Sequence, residues 1–280
     1  MEVFNTIKPI QEYLRKQRSL HKSIGLVPTM GALHRGHLSL LHAATSQNDI
    51  CICSIFVNPT QFNNSEDLKH YPRQVEKDIE MLKQAGCDAV FIPDEGEMYS
   101  GKPEMSLDFG SLETVMEGKF RPGHFNGVGL VVAKLFNILM PDRAYFGQKD
   151  LQQFAVIKRL VQDLSYQLEL CREPIVREED GLALSSRNMR LNHEEREVAR
   201  ALYASLQRGK AALEGGEPPR KISKENMRWL EMQGVKPEYF EIVDPDTMMP
   251  LMNHLTGKPV ALCVAGEVGP VRLIDNLVIE

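Results

Sequence analysis

The sequence predicts an α/β protein in which a doubly wound parallel sheet is followed by a smaller α+β domain. In the first half, short apolar stretches alternate with segments whose apolar residues recur at helical spacing, which is the pattern of βαβ units. Residues 50–57 (ICICSIFV) are apolar almost throughout, as expected of a strand buried on both faces of a parallel sheet. After about residue 176, two helical stretches precede three strand-like ones, which indicates a second architecture.

The first half contains the elements of the predicted sheet. The strands are expected at residues 23–27, 50–57, 88–92, 143–146 and 166–171. The helices are expected at residues 6–18, with Thr6 as a candidate N-cap, 36–46, 72–85, 127–140 and 151–164. This alternation predicts a Rossmann-like sheet, and ligands of such sheets bind beyond the carboxyl ends of the strands. The loops that follow strands are therefore where a functional site is expected.

The second half is predicted to form the smaller domain. A long helix is expected over residues 193–214, because two glycines and then two prolines follow it. The remaining elements are a helix over about 221–233 and strands at 239–243, 260–265 and 271–278. We therefore expect an N-terminal domain over residues 1–176 and a C-terminal α+β domain over 177–280, with a hinge at 177–181 (REEDG).

The composition is that of an ordinary globular protein: of 280 residues, 42% are hydrophobic and 25% are charged. The formal net charge of −5 argues against a dedicated nucleic-acid-binding protein, because such proteins usually carry a basic excess. No stretch reaches the ~18 apolar residues that a membrane span needs. The five cysteines are an odd number and most lie in apolar contexts, so reduced thiols in a cytoplasmic protein are expected.

The first candidate loop lies in VPTMGALHRGHLSLL, residues 27–41, where a strand ends and a helix begins. His34 and His37 are three residues apart, so they share one face of a helical turn. A helix N-terminus presents unpaired N–H groups to a phosphate, and Gly36 leaves room for a base or phosphate near the backbone. Ordinary loop histidines and a metal-binding pair are the alternatives, although no carboxylate or cysteine nearby completes a metal site.

The second candidate loop follows the strand at residues 50–57. It presents the neutral amides of Asn58, Gln61 and Asn64. Amides recognise hydroxyl and carboxylate groups without adding charge, so this loop is suited to a small polar acid. The alternative is a simple turn, because Asn-Pro is a common turn signal.

The third and fourth candidate loops carry the basic residues. In AYFGQKD, residues 144–150, Lys149 is placed to reach phosphates and Asp150 to accept hydrogen bonds from ribose hydroxyls. Gln153 follows one helical turn later. In DGLALSSRN, residues 180–188, two hydroxyls and a guanidinium are suited to a triphosphate. A solvated ion pair and a plain linker are the alternatives for these loops.

The strand, glycine-containing turn, H-x-G-H and helix together resemble the HIGH signature of the nucleotidylyl-transferase superfamily, and ALSSRN resembles its KMSKS loop. Six motifs occur in one order along the chain: PTMGALHRGH, FVNPTQF, YPR, RPGHFNGV, YFGQKD and ALSSRN. In this order and spacing they closely resemble the pantothenate synthetase family. The resemblance covers the whole chain.

The resemblance implies an ATP-dependent condensation of (R)-pantoate with β-alanine, which gives pantothenate, AMP and pyrophosphate through a pantoyl-adenylate. It also implies Mg²⁺ and a cytoplasmic homodimer that associates through its N-terminal domain, with no nucleic-acid or membrane partner. Two other functions stay open. One is nucleotidyl transfer to a phosphate, which calls for extra basic residues, and the other is a non-catalytic nucleotide sensor.

The resemblance also assigns roles to residues at matching positions. The expected ATP contacts are Met30, Gly31, Ala32, Leu33, His34, Arg35, Gly36, His37, Gly147, Gln148, Lys149, Asp150, Val176, Leu184, Ser185, Ser186 and Arg187. The residues expected to act in catalysis are His34, His37, Lys149, Ser185, Ser186 and Arg187. The expected substrate contacts are Pro28, Thr29, Asn58, Gln61 and Gln153. Asp78 is expected near the metal, and Arg121 and His124 are expected to shape or close the site.

Charge sets the expected mechanism. A carboxylate has to approach the phosphates of ATP, so the site must neutralise negative charge. A protonated His37 is expected to stabilise the departing pyrophosphate. Because an acyl-adenylate hydrolyses easily, the second domain and the loop at residues 185–187 are expected to act as a lid that excludes water.

Overall fold

The structure, a computed structural model, describes residues 1–63, 65–253 and 257–280. The strands are β1 (Glu2–Phe4), β2 (Ile24–Thr29), β3 (Ile50–Ile55), β4 (Ala89–Phe91), β5 (Arg143–Gly147), β6 (Glu169–Glu173), β7 (Lys236–Val243), β8 (Val260–Val268) and β9 (Val271–Ile279). The helices are α1 (Ile7–Ser19), α2 (Arg35–Gln47), α3 (Ser65–Lys69), α4 (Val75–Gln84), α5 (Glu95–Met98), α6 (Met116–Phe120), α7 (His124–Leu139), α8 (Leu151–Asp163), α9 (His193–Glu214) and α10 (Pro219–Met232). Asn64 lies outside the described residues.

The strands form two sheets that match the predicted fold class. Six parallel strands follow the order β1-β4-β3-β2-β5-β6, and three antiparallel strands follow the order β7-β8-β9. From β2 the chain adds strands toward one edge, and from β5 it adds them toward the other. The strand order therefore reverses between β2 and β5, which is the place where doubly wound sheets bind ligands.

Both faces of the parallel sheet are covered, as the apolar run of β3 predicts. Ile52 packs with side chains of α1, α7 and α8 on one face, whereas Cys51 and Cys53 pack with α2 and α4 on the other. All three side chains are fully buried. Alternate residues of one strand therefore reach two different cores, because side chains of a strand point to opposite faces in turn.

One predicted cap and one predicted strand boundary differ from the structure. Thr6 holds the N-cap position of α1 but its side chain makes no cap hydrogen bond, and the carboxylate of Glu97 accepts from the N–H of Ile7 instead, at 2.7 Å. The strand predicted from residue 166 begins three residues later, because the N–H of Tyr166 bonds the carbonyl of Val161 and closes the end of α8. The sequence analysis also missed β1.

The two sheets are joined by a buried apolar cluster rather than by a loose linker. Met116, Phe125 and Val156 of the N-terminal part pack in one cluster with Tyr239 and Cys263 of the C-terminal sheet. All five side chains are less than one tenth exposed. Among the described residues, no helix has the length and apolarity that crossing a bilayer requires.

A buried ion pair reinforces this junction. Glu117 of α6 accepts two hydrogen bonds from the Arg272 guanidinium of β9, at 2.6 and 2.8 Å, and a third from the Tyr239 hydroxyl at 2.9 Å. Burial opposes the ionisation of Glu117, but the hydrogen bonds and charge of Arg272 outweigh it and lower the pKa of Glu117 to about 2. The guanidinium also binds Glu238 of its own sheet.

Replacing Glu117 by Gln is expected to lower the free energy of unfolding by about 3 kcal/mol, because it leaves a buried guanidinium short of a charged partner. Glu238→Gln is the matched control, since Glu238 binds the same guanidinium from within the C-terminal sheet, and it is expected to cost less. Urea denaturation at neutral pH measures both, and equal losses would contradict the interdomain role.

The pH dependence of the free energy of unfolding follows from the lowered pKa of Glu117. The stabilisation by ionised Glu117 should be complete above the ordinary glutamate pKa of 4.5 and should disappear as the pH falls toward 2. The glutamine variant should lack this component.

Candidate active site

A cavity of about 250 Å³ lies beyond the carboxyl ends of β2 and β5, at the reversal of strand order. Pro28 and Thr29 line it from the end of β2, and Gly147 lines it from the end of β5. Ile274 and Asn276 of β9 contribute to its wall from the C-terminal sheet. The site is therefore built from both sheets.

The cavity brings together most of the residues that the sequence indicates. The predicted residues that line it are Pro28, Thr29, Met30, His34, Gly36, His37, Gln61, Gly147, Lys149, Asp150, Gln153, Val176, Leu184, Ser185, Ser186 and Arg187, together with Arg121 and His124. The predicted residues that do not line it are Gly31, Ala32, Leu33, Arg35, Asn58, Asp78 and Gln148. Each residue of the second group has a supporting contact instead.

His34 and His37 lie with their ring centroids 4.0 Å apart at the N-terminus of α2. The N–H of Gly36 donates to Nδ1 of His34 at 3.1 Å, and the N–H of His34 donates to Nδ1 of His37 at 3.3 Å. A backbone N–H only donates, so both Nδ1 atoms are acceptors and each neutral ring carries its proton on Nε2. A Cβ on Gly36 would lie 2.9 Å from the His34 ring, so the absent side chain permits this packing.

The protonated state of His37 that is expected beside a departing pyrophosphate is not its state in the free protein. Burial, then the neighbouring His34 and Lys149, lower the pKa of His37 to about 3. Burial and Lys149 likewise lower the pKa of His34 to about 4. At neutral pH both rings are uncharged and offer Nε2–H groups as hydrogen-bond donors, so the positive charge in this part of the cavity is that of Lys149.

Asp78 fixes the loop between β2 and α2. Its two carboxylate oxygens accept from the N–H groups of Ala32 and Leu33 at 2.9 and 2.8 Å. Gly31 and Ala32 both have left-handed backbone angles, φ +82° and +51°, and the carboxylate holds this strained turn in place. Asp78 is 1% exposed, so the structure gives it a loop-fixing role and does not support it as a metal residue.

The side-chain amide of Gln61 is held in place by buried polar neighbours. Asn58 is buried and donates from Nδ2 to Oε1 of Gln61 and to the carbonyl of Gly127, each at 3.1 Å. The Tyr99 hydroxyl donates to Oδ1 of Asn58 at 2.9 Å. Nε2 of Gln61 lies 2.9 Å from Sδ of Met30. Asn58 therefore orients the amide that lines the cavity, and does not line it itself.

Asn276 of β9 positions the basic loop after β5. Its Nδ2 donates to the carbonyls of Gln148 and Lys149 at 2.9 and 2.8 Å, and Nε2 of Gln148 donates back to its Oδ1 at 3.3 Å. Nζ of Lys149 lies 3.6 Å from the carboxylate of Asp150. The C-terminal sheet therefore fixes the backbone that carries both charged side chains. Sequence reasoning missed Asn276, which belongs to none of the motifs.

The segment predicted as a hinge, residues 177–181, folds back as a tight hairpin. Leu184 donates its N–H to the carbonyl of Val176 at 3.0 Å, and Arg177 pairs with Ala183 in an antiparallel bridge. The Arg177 guanidinium also binds the buried carboxylate of Asp275 at 2.6 and 2.9 Å. This hairpin carries the segment from Leu184 to Arg187 back to the cavity.

The other end of this hairpin is tied to the helix that carries the histidines. Arg35 is exposed and forms an ion pair of 2.6 Å with Glu178. In the returning segment, the Ser185 hydroxyl accepts from the N–H of Arg187 at 3.2 Å and caps a short 3₁₀ turn. Arg35 therefore joins two cavity loops rather than facing the cavity itself.

Arg121 and His124 line the cavity, and His124 lies beside Gln61. The Arg121 guanidinium lies 3.7 Å from the carboxylate of Glu117, and Nδ1 of His124 lies 2.9 Å from the backbone carbonyl of Gln61. The sequence motif RPGHF was the signal for both residues. Glu117, which pairs with Arg121, carried no such signal.

A family model for pantoate-beta-alanine ligase matches residues 2–278. The chain belongs to the pantoate–β-alanine ligase family. It is 48% identical over 280 residues to a pantothenate synthetase of Thermosipho africanus, with 100% of each chain covered. It is 49% identical over 285 residues to that of Moorella thermoacetica, with 100% of this chain and 99% of the relative covered.

Solved structures of family members have the same fold. A pantothenate synthetase from Thermus thermophilus matches with a TM-score of 0.90 and 40% identity, over 99% of both chains. A pantoate-beta-alanine ligase from Francisella tularensis, complexed with beta-gamma ATP and β-alanine, matches with a TM-score of 0.83 and 36% identity, over 99% of this chain and 97% of the other. Fold and family are therefore those that the motifs indicate.

The assigned tautomers can be checked directly in the free protein. Nitrogen-15 NMR should show His34 and His37 neutral and protonated at Nε2 from about pH 5.5 to 8, because both pKa values lie well below this range. The urea-unfolded chain is the control, where histidines should titrate near 6.5. A charged His37 at about pH 6 would contradict the assignment.

Proposed function

We propose that this chain condenses (R)-pantoate with β-alanine in an ATP-dependent reaction that proceeds through a pantoyl-adenylate and releases AMP and pyrophosphate. The observation that carries the proposal is that one cavity is lined by two kinds of groups. His34, His37 and Lys149 supply donors and charge, and Gln61 and Gln153 supply neutral amides. A polyanion suits the first set and a small polar acid the second.

The first step forms a mixed anhydride. A free carboxylate is a poor acylating agent, because its leaving group would be oxide. Attack of the pantoate carboxylate on the α-phosphorus of ATP breaks the bond to pyrophosphate and gives an acyl group whose leaving group is AMP. The Nε2–H groups of His34 and His37, the Lys149 ammonium and the N-terminus of α2 stabilise the charge that builds up on the departing pyrophosphate.

The acid side of the cavity argues against the rival functions. Transfer of a nucleotidyl group to a phosphate calls for basic residues around the acceptor. Here the guanidinium of Arg121 has a carboxylate partner in Glu117, and the groups that support Gln61 are neutral. A nucleotide sensor needs no second pocket. The cavity therefore favours an acceptor whose hydroxyl groups are bound by uncharged side chains beside the nucleotide.

Protection of the adenylate from water is part of the proposal. The cavity wall includes β9, and the hairpin that ends at residue 184 returns the segment Ser185–Arg187 to it. Because the apolar junction and the Glu117–Arg272 pair hold the C-terminal sheet in place, we propose a largely preformed cover. Smaller movements of the segment Ser185–Arg187 would close it over the triphosphate.

Family membership supports four further proposals. They are the use of Mg²⁺, a homodimer formed through the N-terminal domain, a division into domains near residue 176 and a cytoplasmic location. The described residues contain no group of three His, Cys, Asp or Glu side chains that could hold a metal ion. The carboxylate of Asp78 is engaged by backbone N–H groups. The side chains in the described ranges therefore do not fit a resident metal site, and Mg²⁺ would enter bound to the phosphates of ATP.

The proposed function is tested by release of pyrophosphate from ATP and pantoate, with and without β-alanine. Pantoate alone should give a burst of about one pyrophosphate per active site, and β-alanine should give turnover and pantothenate detectable by mass spectrometry. No pantoate-dependent pyrophosphate, together with nucleotide transfer to a phosphorylated acceptor, would favour the rival transferase.

Gln61→Ala and Gln153→Ala are expected to raise the KM for pantoate about tenfold or more, and the KM for ATP much less, because polar groups of the buried acid lose their partners. Steady-state kinetics with each substrate varied separately measures the difference. Gln152→Ala is not a suitable control, since its amide bonds the backbone of residues 112, 115 and 117. Gln162→Ala, at the far end of α8, serves instead. A larger rise in the KM for ATP than in the KM for pantoate would assign these amides to the nucleotide site instead.

His37→Ala is expected to slow adenylate formation by about 10²- to 10³-fold, or roughly 3 to 4 kcal/mol, as for loss of one transition-state donor. Binding of ATP should change only a few-fold, because the donor acts mainly on charge that develops during the reaction. Single-turnover pyrophosphate release measures the step, and His42→Ala, exposed on the same helix, is the control. A near-normal rate in the His37 variant would overturn its role.

A further inference from the structure

His124 presents a hydrogen-bond acceptor to the cavity. The residue begins α7, is 5% exposed and lines the cavity beside Gln61. Its Nδ1 lies 2.9 Å from the backbone carbonyl oxygen of Gln61. A carbonyl oxygen only accepts, so Nδ1 carries the ring proton and Nε2 presents a lone pair. Among the described residues, Nδ1 of His124 has a hydrogen-bond partner and Nε2 has none.

This tautomer is opposite to that of the other two cavity histidines. His34 and His37 accept at Nδ1 from backbone N–H groups and therefore donate from Nε2. The fold thus sets donors at the nucleotide side and an acceptor at the side of Gln61. Both arrangements are enforced by backbone atoms, which cannot exchange the roles of donor and acceptor.

The charges around His124 keep its lone pair available. Burial and the Arg121 guanidinium lower the pKa of His124 to about 4, while the Gln61 carbonyl and the carboxylates of Glu117 and Asp150 act in the opposite direction. The ring is therefore uncharged at neutral pH.

The second step of the proposed reaction needs such an acceptor. The ammonium of β-alanine has an amine pKa near that of lysine, about 10, and must lose a proton before its nitrogen can attack. When the neutral amine attacks the acyl carbon, its nitrogen becomes positively charged and acidic. A second proton then has to leave as the amide forms, and a weakly basic group in contact with that nitrogen suffices.

Resting on the proposed function, we infer that Nε2 of His124 accepts an N–H of the attacking β-alanine amine and takes its proton. The amine enters neutral, having lost its first proton to solvent. Its lone pair forms the C–N bond, the bond between the acyl carbon and the phosphate oxygen breaks, and AMP leaves with that electron pair. The proton of the nitrogen passes to Nε2 and from there to water, so the step balances.

Two variants separate this role from support of Gln61. In His124→Asn, the side-chain amide can replace Nδ1 as donor to the Gln61 carbonyl, but nothing replaces the Nε2 lone pair. In His124→Gln, the longer amide can place an oxygen near the position of Nε2, but the bond to the Gln61 carbonyl is lost. His42→Asn, on the exposed face of α2, is the matched control.

The experiment measures the two steps separately. Pyrophosphate release from ATP and pantoate follows adenylation, and rapid addition of β-alanine to the preformed adenylate follows pantothenate formation. In His124→Asn, the second step should fall about 10²-fold while adenylation stays within about threefold, because loss of one proton acceptor affects only aminolysis. His124→Gln should retain more of the second step and show a raised KM for pantoate.

The outcomes distinguish the two proposals. Normal aminolysis in His124→Asn, or an equal fall of both steps, would overturn the role of Nε2 and leave His124 as a support for Gln61. Failure of the unaltered protein to release pyrophosphate with pantoate would instead contradict the proposed function. Adenylation by the His124→Asn variant also shows that it is folded, so a selective loss of aminolysis supports the inference.

Discussion

The site depends on the buried pairing of Glu117 with Arg272. The carboxylate belongs to a short helix beside the parallel sheet, and the guanidinium belongs to the last strand of the antiparallel sheet. A buried charge that loses its partner is costly, so the two sheets are held in one relative position. This position places Asn276 against the backbone of Gln148 and Lys149, and so holds Lys149 at the cavity.

Backbone atoms, more than charged side chains, set the chemistry of the cavity. Amide N–H groups fix His34 and His37 as Nε2 donors, and a carbonyl fixes His124 as an Nε2 acceptor. The same burial that lowers the three pKa values keeps these rings neutral and their roles constant across the physiological pH range. One kind of side chain therefore serves as donor and as acceptor within one cavity.

The proposed cover over the cavity is tied to both sheets. The hairpin after β6 is closed by backbone hydrogen bonds, and Arg177 is held by Asp275. Together with the apolar cluster between the sheets, these contacts restrict large domain movement. Substrates are then expected to enter when the loops around the cavity open, because loops open at a smaller free-energy cost than packed strands and helices do.

The sequence by itself determined the fold class, the location of the site and most of its lining residues. Those features follow from local information: the alternation of apolar patterns, the glycine-containing turn after β2 and the ordered motifs. The contacts of Asp78 and of the hairpin at residues 177–181 could not be predicted in this way, since their partners are set by the folded chain. Asp78 holds N–H groups 45 and 46 residues away, His124 meets a carbonyl 63 residues away, and Arg272 pairs across 155 residues. Such partnerships exist only in the folded chain, and the one made by His124 decided which nitrogen of its ring carries the proton.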